Sequence, residues 1–199
     1  MNPRASIVGL LLAAGFGQRF GGDKLLHVLP NGQAMALAAA EPLLAQCDEV
    51  LAVLRPAQTE LAGLLAQCNI RVVMSTEAKL GMGHSLAAGV RASSAAHGWV
   101  VALGDMPYIQ YETVALVVAA LRDGASLAMP EYTGQNGHPV GFAHEWGAQL
   151  MALHGDVGAR SILSRHPEKI RRLPMNDSGV VFDIDTRALA ETLKKEKFR

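Results

Sequence analysis

The chain of 199 residues carries 18 Lys plus Arg against 18 Asp plus Glu, so its overall field offers no general attraction for nucleic acid or an anionic membrane. Half the residues are hydrophobic and 18% are charged, which excludes a disordered polymer and fits one globular domain over 1–199. Gly, Pro or charged residues interrupt every apolar run before it reaches the roughly 20 residues of a membrane span.

The stretch from Ile7 to Ala14 follows Arg4 but runs directly into Gly15, Gly17, Arg19 and Lys24, without a small-x-small cleavage site. It therefore reads as a buried first strand rather than a signal peptide. Short apolar runs at Ile7 to Ala13, Glu49 to Leu54, Ile70 to Met74 and Trp99 to Leu103 predict four central strands. Ala- and Leu-rich segments at Ala34 to Gln46, Ala57 to Gln67 and Ser85 to Ala96 predict the crossover helices. A helix from Tyr111 to Arg122 and a strand from Ser126 to Met129 continue the pattern. Asn136-Gly137, between Tyr132 and Val140 to Phe142, then predicts a hairpin or antiparallel excursion. Helices near Glu145 to Leu153 and Val157 to Ser164, strands at Lys169 to Leu173 and Val180 to Asp183, and a last helix from Arg187 to Lys197 complete the reading. This alternation predicts a three-layer α/β fold with a mainly parallel, mixed sheet. Cys47 and Cys68 form no Cys-x-x-Cys pair and read as buried thiols of a reducing, cytoplasmic compartment.

Leu12-Ala13-Ala14-Gly15-Phe16-Gly17 joins the first strand to a segment bearing Arg19 and Lys24. Glycines let backbone N–H groups approach an anion, and the two cations offset polyphosphate charge. The spacing fits neither familiar phosphate loop. Phe20 stands where a dinucleotide fingerprint needs its third glycine, and Asp23-Lys24-Leu25 follows Gly22 where a Walker A loop needs Lys-Ser/Thr. Asp105 ends the fourth strand at the sheet edge where ligands bind, as a metal ligand or a helix cap. In Asp183-Ile184-Asp185 a continuing strand puts both carboxylates on one face, although Asp185 or Thr186 can instead cap the last helix. Gly83-His84-Ser85-Leu86-Ala87 partly matches the nucleophile elbow of serine hydrolases, but the polar, glycine-broken residues before it read as a loop opening a helix at Ser85.

The first loop resembles the L-A-A-G-x-G-x-R-x-G-x-x-K signature of the MobA-like NTP transferases of the molybdenum-cofactor group, and every specified position matches. Gly104-Asp105-Met106-Pro107 resembles their second motif, and Asp183-Ile184-Asp185-Thr186 their third, after which Arg187-Ala188-Leu189 departs from the usual Pro-Glu-Asp. Gly81-Met82-Gly83-His84-Ser85-Leu86 is similar to their G-M-S-x-S-L, with Gly83 and His84 as departures. Gly137-His138-Pro139-Val140 and Gly155-Asp156-Val157-Gly158-Ala159-Arg160 resemble two stretches of the cytidylyltransferase branch. The resemblance implies a Rossmann-like nucleotidyltransferase fold and NMP transfer from a nucleoside triphosphate, CTP being favoured by Ala13-Ala14-Gly15, to molybdopterin or the molybdenum cofactor. It implies that Leu12, Ala13, Ala14, Gly15, Gly17, Gly81 and Ser85 contact the nucleotide, and that Arg19 and Lys24 bind its triphosphate. Asp105, Asp183 and Asp185 are implied to hold Mg²⁺, and His138, Asp156 and Arg160 to hold the acceptor. A molybdoenzyme or its chaperone is the implied protein partner. A guanylyltransferase, a sugar- or alcohol-phosphate nucleotidyltransferase and a non-catalytic nucleotide-binding accessory protein are the alternatives.

Overall fold

The first apolar run becomes strand β1 (Ile7–Leu12) because its side chains serve two cores at once. Ile7 and Leu11 pack into one layer, and Val8, Leu10 and Leu12 into the other, which is the period-two division of a strand. The structure, a computed structural model, describes residues 6–17, 20, 22–188 and 190.

Three crossovers follow, through α1 (Met35–Gln46), α2 (Thr59–Gln67) and α3 (Met82–Ala92), leading to β2 (Glu49–Leu54), β3 (Arg71–Met74) and β4 (Gly98–Leu103). These strands pair in parallel, so their carboxyl ends share one edge. Beyond α4 (Tyr111–Arg122), strands β5 (Leu127–Tyr132), β6 (Gln135–Asn136), β7 (Val140–Ala143) and β8 (Ile170–Pro174) extend the sheet. The order is β3-β2-β1-β4-β7-β5-β6, with β8 also paired to β5. Strand β7 runs antiparallel to both β4 and β5, while β8 runs parallel to β5, so the sheet is mixed as expected. Helices α1, α2 and α4 bury Leu43, Leu61 and Val117 on one face. Helix α3 and the short helices α5 (Gly147–Met151) and α6 (Arg160–Arg165) bury Leu86, Leu150 and Ile162 on the other. The three layers are complete.

Local departures from the sequence reading have identifiable causes. The third predicted strand is an edge strand, with an exposed and half-buried pattern, because only β2 pairs with it. Helix α3 spans Met82–Ala92 rather than 85–96, since Gly81 releases the chain earlier and a turn from Ser93 to Ala96 ends it sooner. The hairpin turn uses Thr133 and Gly134, at φ +47° and +81°, instead of Asn136-Gly137. Gly137 is needed elsewhere: a Cβ on it would lie 2.6 Å from Val180. Both cysteines are half-buried rather than buried. The helix predicted from Arg187 to Lys197 lies largely outside the described residues.

The predicted strand at 180–183 is a 3-10 turn, Ser178–Val181, followed by extended chain. Asp177 explains why. Its buried carboxylate accepts hydrogen bonds from Gly179 N at 2.9 Å, Gln110 N at 2.9 Å and Thr113 Oγ1 at 2.6 Å. The chain is thus tied to the start of α4 and aimed back across the sheet. Asp177→Ala should cost about 3 kcal/mol, because three donors lose a charged acceptor, two of them backbone amides. Urea unfolding measures this, and Asp177→Asn should recover part of the loss.

Candidate active site

Strand β1 delivers its last residues onto an edge held from both sides. Gly104 N donates to the Leu12 carbonyl at 3.0 Å, and Ala13 N donates to the Val53 carbonyl at 3.1 Å. Buried Gln58 continues the clamp: its Nε2 donates to the Ala13 carbonyl at 3.0 Å, while its Oε1 accepts from Arg55 N at 2.8 Å. The loop from Ala13 to Gly17 therefore starts from a fixed platform. Gly17, at φ +56°, turns it toward the 3-10 turn Lys24–Leu26.

That turn buries Lys24, whose side chain is 8% exposed. Its ammonium lies 2.9 Å from Asp105 Oδ2 and 3.0 Å from Asp185 Oδ1, joining the end of β4 to a segment 161 residues beyond Lys24 in sequence. Asp183 completes the group, with carboxylate oxygens of all three aspartates within 4.8 Å of one another. The pair of aspartates reaches this position without the continuing strand that the sequence suggested. Ile184 is fully buried between them, and its N–H donates to the Asp105 carbonyl at 3.0 Å. Partial burial raises the pKa of Asp183, and the charges of Asp185 and Asp105 raise it further.

A cleft of about 720 Å³ opens over this edge. One wall is the loop from Leu12 to Gly17; Lys24, Asp105 and Asp185 form one end; Ala78, Lys79, Gly81, Met82, Ser85 and Asp156 form the other wall. The second wall depends on two glycines. A Cβ on Gly81 would lie 2.4 Å from the Gly155 backbone, and one on Gly83 would lie 2.7 Å from the His154 carbonyl. Gly83 N donates to the Gly155 carbonyl at 2.8 Å, so the departure at Gly83 seats the Gly155-Asp156 turn directly on helix α3.

Leu12, Ala13, Ala14, Gly15, Gly17, Lys24, Gly81, Ser85, Asp105, Asp156 and Asp185 thus come together around one space. Asp183 joins them through the carboxylate group. Arg19 lies outside the described residues. His138 sits behind Asp105 with its Nδ1 buried; burial lowers its pKa, opposed by a hydrogen bond to the Val101 carbonyl and by the Asp105 charge. Arg160 is exposed at the start of α6 and is not among the described residues that line the cleft. Ser85 does not form a nucleophile elbow. It lies inside α3, with its hydroxyl 3.5 Å from the Gly81 carbonyl of its own turn, and no strand runs into it.

The residues that sequence reasoning missed are Arg55, Gln58, Phe16 and Lys79. Arg55 directly follows β2 at the carboxyl edge, the same rule of position that picked out Asp105.

Residues 9–170 match the MobA-like NTP transferase domain. The chain belongs to this family of nucleotidyltransferases. Among proteins similar to this MobA-like transferase is the nicotine blue oxidoreductase of Paenarthrobacter nicotinovorans, 32% identical over 90% of this chain and 92% of that one. The purine catabolism protein PucB of Bacillus subtilis is 30% identical over the same shares. A probable molybdenum cofactor guanylyltransferase of Thermococcus gammatolerans is 31% identical over 66% of this chain and 65% of its own length. Among solved structures, Rv0371c of Mycobacterium tuberculosis superposes with a TM-score of 0.83 at 26% identity, covering 97% of this chain and 99% of that one. Rv0371c has also been solved in complex with manganese, in a form that matches at 24% identity and a TM-score of 0.75 over 96% of this chain and 98% of that one.

The raised pKa of Asp183 has a consequence for stability. Its folded pKa lies above the unfolded value, so the ionised side chain weakens the ligand-free fold once pH rises through the folded pKa. Asp183→Asn should therefore raise Tm at pH 7.5, and the advantage should shrink as pH falls toward the ordinary carboxylate range. Differential scanning calorimetry at several pH values measures the trend.

Proposed function

We propose that this nucleotidyltransferase moves CMP from CTP onto the phosphate of molybdopterin or the molybdenum cofactor and releases pyrophosphate. The observation that carries the proposal is the meeting of Lys24 with Asp105, Asp183 and Asp185 at the end of a glycine-lined cleft. Three carboxylates converging from two loops provide an all-oxygen donor set, the chemistry that suits Mg²⁺. Asp105, Asp183 and Asp185 would hold the ion, which when bound neutralises charge on the phosphates.

The chain's own residues then have an alignment task. An oxygen of the acceptor phosphate attacks the α-phosphorus, the bond to the β-phosphate oxygen breaks, and pyrophosphate leaves with the electron pair. An ionised phosphate needs no base, so positioning and charge neutralisation suffice. Lys24 reaches the phosphates by leaving its two carboxylates, the backbone of Gly15 and Gly17 lies along the triphosphate, and Arg19 is assigned to the triphosphate from the motif alone. Ser85 and Gly81 close the nucleotide side. Asp156, on the second wall, His138, behind Asp105, and Arg160, at the outer end of α6, are assigned to the pterin.

The Ala13-Ala14-Gly15 start supports CTP, and the stretches at 137–141 and 155–160 support the pterin acceptor. The guanylyltransferase relative supports a molybdenum-cofactor substrate. A redox activity like that in the name of the nicotine blue relative lacks a dinucleotide fingerprint here, because Phe20 replaces the third glycine. The half-buried free thiols are compatible with the cytoplasm, where a molybdoenzyme or its chaperone would receive the product. Among the described residues no helix is long and apolar enough to cross a membrane.

Pyrophosphate release with molybdopterin, Mg²⁺ and each of the four NTPs tests the reading. CTP should give the highest rate, and Asp105→Ala should lower it by about a hundredfold or more. GTP preference would indicate a guanylyltransferase. Turnover only with sugar or alcohol phosphates would replace the acceptor, and nucleotide binding without turnover on any acceptor would indicate an accessory protein. Lys24→Met provides an independent check by calorimetric Mn²⁺ titration. Without nucleotide, the variant should bind Mn²⁺ more tightly than the wild type, because no ammonium competes for Asp105 and Asp185. Its CTP affinity should fall by about tenfold or more.

A further inference from the structure

The end of the cleft remote from the carboxylates is built around Arg55. The guanidinium lies over the Phe16 ring, 4.3 Å from its centroid, and Nη2 donates to the Gly15 carbonyl at 3.2 Å. Its backbone is fixed by Gln58, which also grips Ala13. Phe16 and Arg55 both line the cleft, and Phe16 is 52% exposed.

Among the described residues Arg55 has no acidic partner, as Arg160, Arg165 and Arg187 have none, but it alone of these four lines the cleft. Arg71, Arg91, Arg122, Arg171 and Arg172 each lie within ion-pair distance of a carboxylate. Arg55 has no such partner among the described residues, and its buried Nε has no hydrogen-bond acceptor. Buried donors are seldom left unpaired in a native structure without a reason. An oriented, unneutralised fork facing a cleft is arranged for a ligand.

The sheet order indicates which part of the ligand it meets. Asp105 follows β4, the glycine loop follows β1, and Arg55 follows β2, in adjacent parallel strands. Two strand spacings separate the carboxylate end from Arg55, about 10 Å. That is about the reach of one nucleotide from α-phosphate to base. With the phosphates along the glycine loop, the base falls at Arg55.

A planar fork with parallel N–H groups suits a base edge carrying two adjacent acceptors. Guanine presents O6 beside N7, and cytosine presents O2 beside N3. Adenine and uracil instead place a donor beside each acceptor on the comparable edges. We propose that Arg55 selects the nucleobase, its guanidinium donating two parallel hydrogen bonds to an acceptor pair and so admitting CTP or GTP in preference to UTP and ATP. The inference rests on the nucleotide reading of the cleft. It adds a specificity residue contributed by β2.

The test is calorimetric titration of CTP, GTP, UTP, ATP and inorganic tripolyphosphate, with Mg²⁺, into wild type, Arg55→Met and Arg55→Lys. The wild type should prefer CTP or GTP over UTP and ATP by about tenfold to a hundredfold. Arg55→Met should lose that preference while binding tripolyphosphate as before. Arg55→Lys keeps the charge and the carbon stem over Phe16 but not the fork; it should lose the preference too, and it decides the matter if Arg55→Met does not fold. A preference that survives both substitutions would overturn the proposal, as would an equal loss of affinity for all five ligands, which would make Arg55 a phosphate contact and leave the nucleotide reading standing. A wild type that binds all four nucleotides equally would overturn it as well. Binding of none of the five ligands would remove the nucleotide reading and this inference together.

Discussion

Three carboxylates held within 4.8 Å of one another need a positive charge between them, and in this protein Lys24 supplies it. Each like-charged pair at such a distance repels by between about 1 kcal/mol in water and about 4 kcal/mol near a protein surface. The partial exposure of Asp105 and Asp185, at 29% and 41%, moderates the cost without abolishing it. The fold accepts this cost by anchoring the participants elsewhere. Asp105 is set by β4, Lys24 by the turn after β1, and Asp183 and Asp185 by buried Ile184 and by the Asp177 tie to α4. A site assembled from such distant parts of the chain is stable only because the crossovers bring their strand ends to one edge.

The ion pairs of Lys24 with Asp105 and Asp185 bear on the proposed nucleotide reading. In the absence of phosphate the lysine's charge is satisfied by aspartates. Under the proposed nucleotide reading, a polyphosphate and a cation arriving together would each take over one half of that interaction, leaving neither the ammonium nor the carboxylates unpaired. Nucleotide and cation would then be coupled through a side chain that both displace. The second wall contributes shape instead of charge. Gly81 and Gly83 allow the Gly155-Asp156 turn to rest on α3, and this backbone-to-backbone seating brings Asp156 to the wall of the cleft.

The parts of this arrangement that could be read in the sequence are those that depend on local pattern. Glu49–Leu54 and Tyr111–Arg122 were delimited by hydrophobic period alone, because a buried strand and an amphipathic helix write their burial into consecutive residues. The glycine loop, Lys24 and the three aspartates were legible because motif chemistry sits in short runs. Arg55 was marked only by its place after β2, and Asp177 by nothing local, since each acts through partners distant in sequence: Arg55 with Gly15, 40 residues away, and Asp177 with Gln110, 67 residues away. Asn136-Gly137 misled for a related reason. Its turn chemistry is genuine, but Gly137 is used for a close approach to Val180 that only the tertiary structure shows.

The most direct measurement is a crystal structure with a non-hydrolysable CTP analogue and Mn²⁺, using the anomalous signal to locate the ion. The ion should lie among the carboxylates of Asp105, Asp183 and Asp185, with the Lys24 ammonium moved onto a phosphate oxygen. A bound nucleotide with Lys24 still bridging Asp105 and Asp185, and the ion held elsewhere, would contradict this reading.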